Sequence, residues 1–403
     1  MRELLLLSYT FPPDNTAAAV RPGQLRDYLP PLGYRAHVIA SSFGGERNAE
    51  ELVRRVPDDD ALPRSHVSSR RLHWLMRNFA PYDDRLPWVP YARDAAEGVI
   101  RTQPVAAIFS TSPFLASHFT ALLLKMRHGL PWVADFQDPI VDNPFRTRRW
   151  FFPYDRIIER IIFRFADRLI ANTDTVAAMW RARYPMFSGK ISVLWNSFDP
   201  REQIVTVPRP QRAYRVLAHV GTLYGERHPA RVLETLERLH AAVPDVVVKL
   251  VGPIDNTLRQ RFQPLFDRLT QLGILEYGDR LVDRREALKE TAEADYLLLL
   301  DLNASNASFQ LPSKLLDYLR YGKPVLAYTP KNSPVERVLT DSGAAFVSID
   351  SAESEASEDR KITEFLHMPI EPRSVSRKFE EMFSAEAQAR TVARLFDELL
   401  EPK

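Results

Sequence analysis

Two doubly wound α/β domains joined by a linker are what this chain predicts, on three observations. Short apolar runs alternate with amphipathic helical stretches along most of its length, the mark of parallel sheets covered by helices. The series of runs starts again after Asn196–Ala213, a stretch with Pro200, Pro208, Pro210 and several charges but no long apolar period, which reads as a linker. The length of 403 residues, with 45% hydrophobic and 26% charged residues, is sufficient for two sizeable cores. The domains fall at 1–200 and 213–375, with a final helical stretch at 376–403.

In the first domain, strands are expected at Leu4–Leu7, Ala36–Ser41, Ala106–Ser110, Trp132–Asp135, Arg168–Asn172 and Ile191–Leu194. Helices are expected at Val20–Leu32, Pro113–Arg127 and Asp155–Ala166. In the second domain the strand candidates are Val216–Val220, Val246–Val251, Ile274–Tyr277, Tyr296–Asp301, Val325–Tyr328 and Ala344–Val347. Residues 351–361 are polar and read as a surface excursion, and Ser376–Leu400 reads as helix. The run after Met1 is too short for a signal h-region and is followed by no small-residue cleavage site, so it reads as a buried strand.

Composition narrows the function. The chain has no cysteine, which excludes a disulfide framework, a thiolate zinc site and a cysteine nucleophile and fits a cytosolic enzyme. Nine histidines lie scattered without metal-ligand spacing, so no metal is expected. A net charge of +2 is too small for a nucleic-acid binder. Gly-x-Ser-x-Gly, Walker and Gly-x-Gly-x-x-Gly motifs are absent, and no apolar run approaches the roughly 18 residues needed to span a bilayer.

The most informative stretch is 309–328. Pro312 opens a short helix, Gly322 stops it, and an apolar strand follows from Pro324. Free N–H groups at the helix start form an anion site, to which Ser313 adds a hydroxyl and Lys314 a cation. Asp317, one turn on, can accept a hydrogen bond from a sugar hydroxyl. An anion end and a hydroxyl acceptor are what a nucleotide-sugar diphosphate and its ribose require.

Three further loops follow strand ends, where open α/β sheets bind ligands. After the first strand come Asn15 and Thr16, able to cap a helix near a phosphate, with Arg21 inside that helix. Ala134-Asp135-Phe136-Gln137-Asp138-Pro139 ends a strand in two carboxylates. Asp138 there is either a group that positions or deprotonates an acceptor hydroxyl or a cap on the turn before Pro139. Gly221-Thr222-Leu223-Tyr224-Gly225-Glu226-Arg227 opens the second domain's first loop, with glycines for close backbone approach and Arg227 for a diphosphate. His118, on the helix after Ser110-Thr111-Ser112-Pro113, is a candidate for the cleft or a half-buried helix histidine.

The 309–328 segment resembles the Pro-x-Lys-x-x-Glu-Tyr-x-x-x-Gly-x-Pro-Val run of GT-B glycosyltransferases, most closely the polysaccharide-assembly branch of retaining family 4. Asp317 stands where Glu is common, and Phe309 where many relatives carry a second Glu. Asp135-Phe136-Gln137-Asp138-Pro139 is similar to that branch's Asp-x-x-Asp-Pro run, so the resemblance spans nearly the whole chain. It implies the GT-B fold, with two Rossmann-like domains facing each other across a cleft and the carboxyl-terminal helix crossing back to the first. It also implies metal-free transfer from a nucleotide sugar, as substrate rather than cofactor, to a glycan or polyprenyl-linked acceptor. Asp138 and His118 would be catalytic; Asn15, Thr16, Arg21, Thr222, Arg227, Leu311, Ser313, Lys314 and Asp317 would bind substrate. A nucleotide-sugar 2-epimerase of the same fold and a non-catalytic nucleotide-sugar-binding or partner protein are the alternative readings.

Arg146–Arg168 is rich in arginine and aromatic residues, and Arg156, Arg160, Arg164 and Arg168 recur every fourth residue beside Ile157, Ile161 and Phe165. A cationic ridge next to an apolar stripe suits the headgroups of a membrane's inner face. A core-facing amphipathic helix is the alternative, and Asp155 and Glu159 dilute the charge.

Overall fold

Runs such as Leu4-Leu5-Leu6-Leu7 are apolar at every position because a parallel strand is covered on both faces. In the computed structural model all four are buried. The structure describes residues 1–14, 16–42, 52–57, 85–143, 152–225, 227–301 and 309–401. Contacts divide the chain into two units, Met1–Asp199 with Ser384–Lys403, and Pro200–Phe383.

The first unit runs β1 (Arg2–Ser8), α1 (Ala17–Tyr28), β2 (Tyr34–Ser41), β3 (Val53–Val56), α2 (Val89–Thr102), β4 (Val105–Thr111) and α3 (Leu115–His128). It continues with β5 (Trp132–Phe136), α4 (Phe152–Phe165), β6 (Arg168–Ala171), α5 (Asp174–Arg183) and β7 (Ile191–Val193). The strands form one parallel sheet in the order β3-β2-β1-β4-β5-β6-β7. The order reverses between β1 and β4, so the loops after those strands and after β5 border the crevice where such sheets take ligands. The short β3 has no counterpart in the sequence reading because Val53-Arg54-Arg55-Val56 carries two arginines in four residues.

The second unit repeats the plan with β8 (Arg215–Val220), α6 (Ala230–Leu239), β9 (Val246–Val251), α7 (Asn256–Gln271), β10 (Leu275–Gly278), α8 (Arg284–Glu293) and β11 (Tyr296–Leu300). It ends with α9 (Ser313–Tyr321), β12 (Val325–Tyr328), α10 (Pro334–Ser342), β13 (Phe346–Ile349), α11 (Glu355–Leu366) and α12 (Arg377–Phe383). Its sheet order is β10-β9-β8-β11-β12-β13, again parallel with a reversal, between β8 and β11. No described helix is long and apolar enough to cross a membrane.

Two local readings need correction. Residues 351–361 are no polar excursion. Ser354 caps α11 by accepting the Ser357 N–H, and the buried Glu358 accepts from the Tyr328 hydroxyl (2.5 Å) and the Thr235 hydroxyl (3.0 Å) and pairs with Arg231. Polarity there marks a helix whose acidic side chain is satisfied inside. The expected single helix at Ser376–Leu400 is two, since Ser384 caps a new helix, α13 (Ala385–Leu400), by accepting the Ala387 N–H. α13 lays Ala389, Val392 and Phe396 into the first unit's core with Leu25, Tyr28 and Phe109.

The linker residues are tied to the second unit. Val205 and Val207 lie on Leu288, Ala292 and Tyr321. Arg209 and Arg212 donate to Asp295 at 2.8 and 2.7 Å, and the carboxylate also accepts the Val216 N–H at 2.8 Å. Burial alone would raise the Asp295 pKa, but these donors hold it below the usual carboxylate range. Asp295→Ala strands the mostly buried Arg212 guanidinium, and removing one partner of a buried pair costs about 3–5 kcal/mol. Its melting transition is expected several degrees below the parent's; an unchanged transition would show that the tie contributes nothing.

Candidate functional site

The second unit builds its site around one helix end. Pro312 stands as the N-cap of α9, where its missing N–H is no loss. It stops at Gly322, whose φ of +65° and close approach to the Arg373 carbonyl leave no room for a Cβ. Lys314 and Tyr318 are four residues apart and share a face. The buried Tyr318 hydroxyl accepts the Val220 N–H at 2.9 Å, fastening α9 to the end of β8. One turn earlier, the Lys314 ammonium therefore reaches His219, donating to Nε2 at 3.1 Å. On the other side of the ring, Nδ1–H donates to the Leu298 carbonyl at 3.0 Å, which fixes the tautomer.

This pair is electrostatically unusual. Burial, then the nearby Lys314 charge, drives the His219 pKa far down, so the imidazole is neutral and acts as an acceptor. Burial and the neighbouring Arg227 push the Lys314 ammonium down to about 7. Among the described residues no carboxylate pairs with Lys314. Arg227 is itself 8% exposed; it donates to the Tyr224 hydroxyl (2.6 Å) and to Gln310 (2.9 Å), and the Asp301 carboxylate is 3.8 Å away. Two neighbouring cations beside the N-terminus of α9 are an arrangement that an anion would complement.

Gly221 makes the arrangement possible. Its φ is +132°, and a Cβ there would stand 2.7 Å from the Lys314 ammonium. Thr222 is exposed in the same loop, and Ser313 is exposed at the first turn of α9. Leu311, expected to bind substrate, is buried, so its side chain packs within the unit and a contact to substrate would fall to its main chain. The free carboxylate expected at Asp317 also needs correction. Its two oxygens accept from Arg284 at 2.5 and 2.8 Å, so a sugar hydroxyl would have to share it. Arg231, the second basic residue of this region, is spent on Glu358 and the Ser351 and Glu353 carbonyls.

In the first unit Arg21 departs from its expected role as a ligand contact. Its guanidinium is buried and donates to Asp135 (2.5 Å), the Leu194 carbonyl (3.0 Å) and Asn196 (3.1 Å). Burial pushes the Asp135 carboxyl up, while Arg21 and the Thr111 hydroxyl at 2.6 Å oppose that. The pair is a brace behind the loops. Just beyond it Gln137 is clamped, its N–H to the Ser112 hydroxyl at 2.8 Å and its amide to the Ala18 carbonyl at 3.0 Å. Asp138 follows, half-buried.

Thr16 is the exposed N-cap of α1, but its hydroxyl makes no capping bond, and its N–H donates to Asp14 instead. Asn15 lies outside the described residues. His118 is corrected outright. The ring is fully buried, 4.5 Å from the Phe136 ring centre, with Nδ1 2.8 Å from the Ser110 hydroxyl. Burial pushes its pKa down to about 3, so it is a neutral core group that no substrate reaches. No three His, Asp or Glu side chains converge as a metal site among the described residues.

Sequence reasoning missed His219, Tyr318 and Arg284. His219 carried a signal, as a polar residue inside the otherwise apolar run Val216–Val220. Tyr318 belongs to the motif, but its tether to β8 is visible only in three dimensions.

Comparison with known proteins agrees with this architecture. Residues 19–202 match the model of Glycosyltransferase Family 4. Sucrose-phosphate synthase from Thermosynechococcus elongatus superimposes with a TM-score of 0.69 at 13% identity, over 99% of each chain. HepE from Anabaena, in complex with UDP and glucose, gives 0.64 at 14% identity over 98% of this chain and 100% of its own. A glycosyltransferase from Rickettsia africae gives 0.65 at 13% identity over 100% and 99%. No curated protein matches the chain in sequence. The fold is GT-B, with two Rossmann-like units. The family 4 match covers 184 residues (19–202) of the first unit and its linker, and the likeness to the solved structures is one of fold.

Gly221→Ala is expected to displace the Lys314 ammonium and strain the backbone, at about 1–3 kcal/mol. The melting transition should fall by several degrees; a parent-like transition would show that the Lys314 position tolerates the added methyl.

Proposed function

We propose that the protein moves a sugar from a nucleotide-sugar donor to a glycan or polyprenyl-linked acceptor in cell-surface polysaccharide assembly, with retention at the anomeric carbon. The second unit binds the donor diphosphate through Lys314, Arg227 and the first N–H groups of α9, with Ser313 and Thr222 at hand. The observation that carries this is Lys314, a partly buried cation next to a second cation and, among the described residues, without a carboxylate partner. Such a site is completed by an anion. As the glycosidic bond to the diphosphate breaks, charge grows on the leaving phosphate oxygens, and these donors are the groups that would meet it. No metal or other cofactor enters this scheme, so turnover is expected to survive EDTA, and abolished turnover that Mg²⁺ or Mn²⁺ restores would contradict it.

Asp138 in the first unit serves the acceptor, taking or orienting its hydroxyl proton, on the rigid base that Gln137 and the Arg21–Asp135 brace provide. The setting is cytoplasmic, at the inner membrane face when the acceptor is lipid-linked. The UDP and UDP-glucose complexes of the structural neighbour HepE make uridine nucleotides the first donors to test.

Two variants separate the half-reactions. Lys314→Ala should weaken UDP or GDP binding by about tenfold or more, since a charge-assisted bond is worth about 1.5–3 kcal/mol, with the melting temperature kept. Asp138→Asn should leave nucleotide affinity unchanged and cut transfer by roughly 10²–10⁴. Normal transfer by a stable Asp138→Asn protein would reduce Asp138 to a turn cap. Donor epimerised without any acceptor would favour an epimerase.

A further inference from the structure

α4 is an amphipathic helix whose acidic residues all point inward. Asp155 and Glu159 are 1% and 0% exposed. Glu159 accepts the Val141 N–H at 3.1 Å and faces Arg183 at 3.5 Å, and Ile162 and Phe163 are buried beside it. The charge dilution that the sequence suggests is therefore absent from the surface. What faces solvent is Tyr154 (55%), Ile157 (55%) and Ile161 (39%), together with exposed Arg156, Arg160 and Arg164.

At about 100° per residue, Tyr154, Ile157 and Ile161 fall within roughly 60° of arc, and the three arginines occupy the adjoining ~80°. No carboxylate of α4 lies on either sector. The neighbouring helix α3 packs against α4 and adds exposed Leu123 and Met126. Residues 144–151, part of the basic stretch at Arg146–Arg168, lie outside the described residues and are not needed for this surface.

We propose that this face of α4 docks the protein on an anionic phospholipid bilayer. A row of arginines one helical turn apart meets a sheet of phosphate headgroups. The adjoining Tyr154, Ile157 and Ile161 stripe enters the boundary with the acyl chains, as in helices that lie in the interface plane. The charge decides between occupants. A second copy of this chain would set the three arginines against a surface with a net charge of +2 overall, whereas an anionic bilayer complements all three at once. The docking surface is independent of the sugar-transfer reading, because vesicle binding needs neither donor nor acceptor.

Cosedimentation of the full chain with phosphatidylcholine vesicles, and with vesicles of phosphatidylcholine and phosphatidylglycerol, tests it. The parent should bind only the anionic vesicles, and less so in high salt. Arg156→Glu with Arg160→Glu and Arg164→Glu should lower the partition coefficient at least about tenfold. Arg160→Glu alone should lower it severalfold, should the triple variant fold poorly. Ile157→Ser with Ile161→Ser should weaken binding while keeping its salt dependence. Melting temperature and UDP affinity should match the parent's throughout. Equal binding to neutral vesicles, no binding by the parent, or parent-like binding by the arginine variants would overturn the proposal. So would a dimer in sedimentation velocity that the isoleucine variant dissociates and lipid does not affect, which would assign the face to self-association.

Discussion

The contact between Lys314 and His219 holds the second unit's chemistry in place. An ammonium costs free energy to bury, and it stays only because a neutral imidazole accepts one of its protons. That imidazole is neutral because it is buried, and correctly oriented because Leu298 takes its other proton. The Tyr318–Val220 bond sets the distance by fastening α9 to β8, and Gly221 keeps the space open. Each part is an ordinary feature of a parallel α/β sheet. Together they leave a cation poised between charged and neutral, where binding an anion shifts it to the charged form.

The first unit uses a different device. Its loops after β1 and β5 are locked by a buried ion pair, Arg21–Asp135, reinforced by Thr111, Leu194 and Asn196. Because every strong partner is internal, the pair cannot also bind substrate. It makes the adjoining Gln137–Asp138 turn rigid, as positioned catalytic groups require. One unit thus presents an incompletely neutralised cation, and the other a half-buried carboxylate on a fixed turn.

Much of this was legible in the sequence, for physical reasons. Strands buried on both faces are continuous apolar runs, so Leu4–Leu7 falls inside an observed strand, and Val246–Val251 and Tyr296–Asp301 match theirs to within a residue. Pro312 and Gly322 bound α9 because each has a conformational constraint that shows in its identity. Less visible was which polar residues are spent internally. Arg21, Asp317 and His118 have the right chemistry for a site, but their partners Asp135, Arg284 and Ser110 are fixed by tertiary packing. The same blindness hid an asymmetry in α4, where composition shows mixed charge and the fold buries all of the negative part.

If Lys314 is the cation that receives the donor diphosphate, nucleotide binding must change its protonation. Its pKa of about 7 means that it is mostly neutral at about pH 8. A bound dianion favours the charged form and raises that pKa, so protons are taken up on binding at slightly alkaline pH. Calorimetric titration of UDP at about pH 8, in buffers of different ionisation enthalpy, reads this directly. The account predicts net proton uptake of a fraction of one equivalent, absent for uridine and absent in a Lys314→Met protein. Tight UDP binding with no proton uptake, or with the same uptake in Lys314→Met, would contradict it.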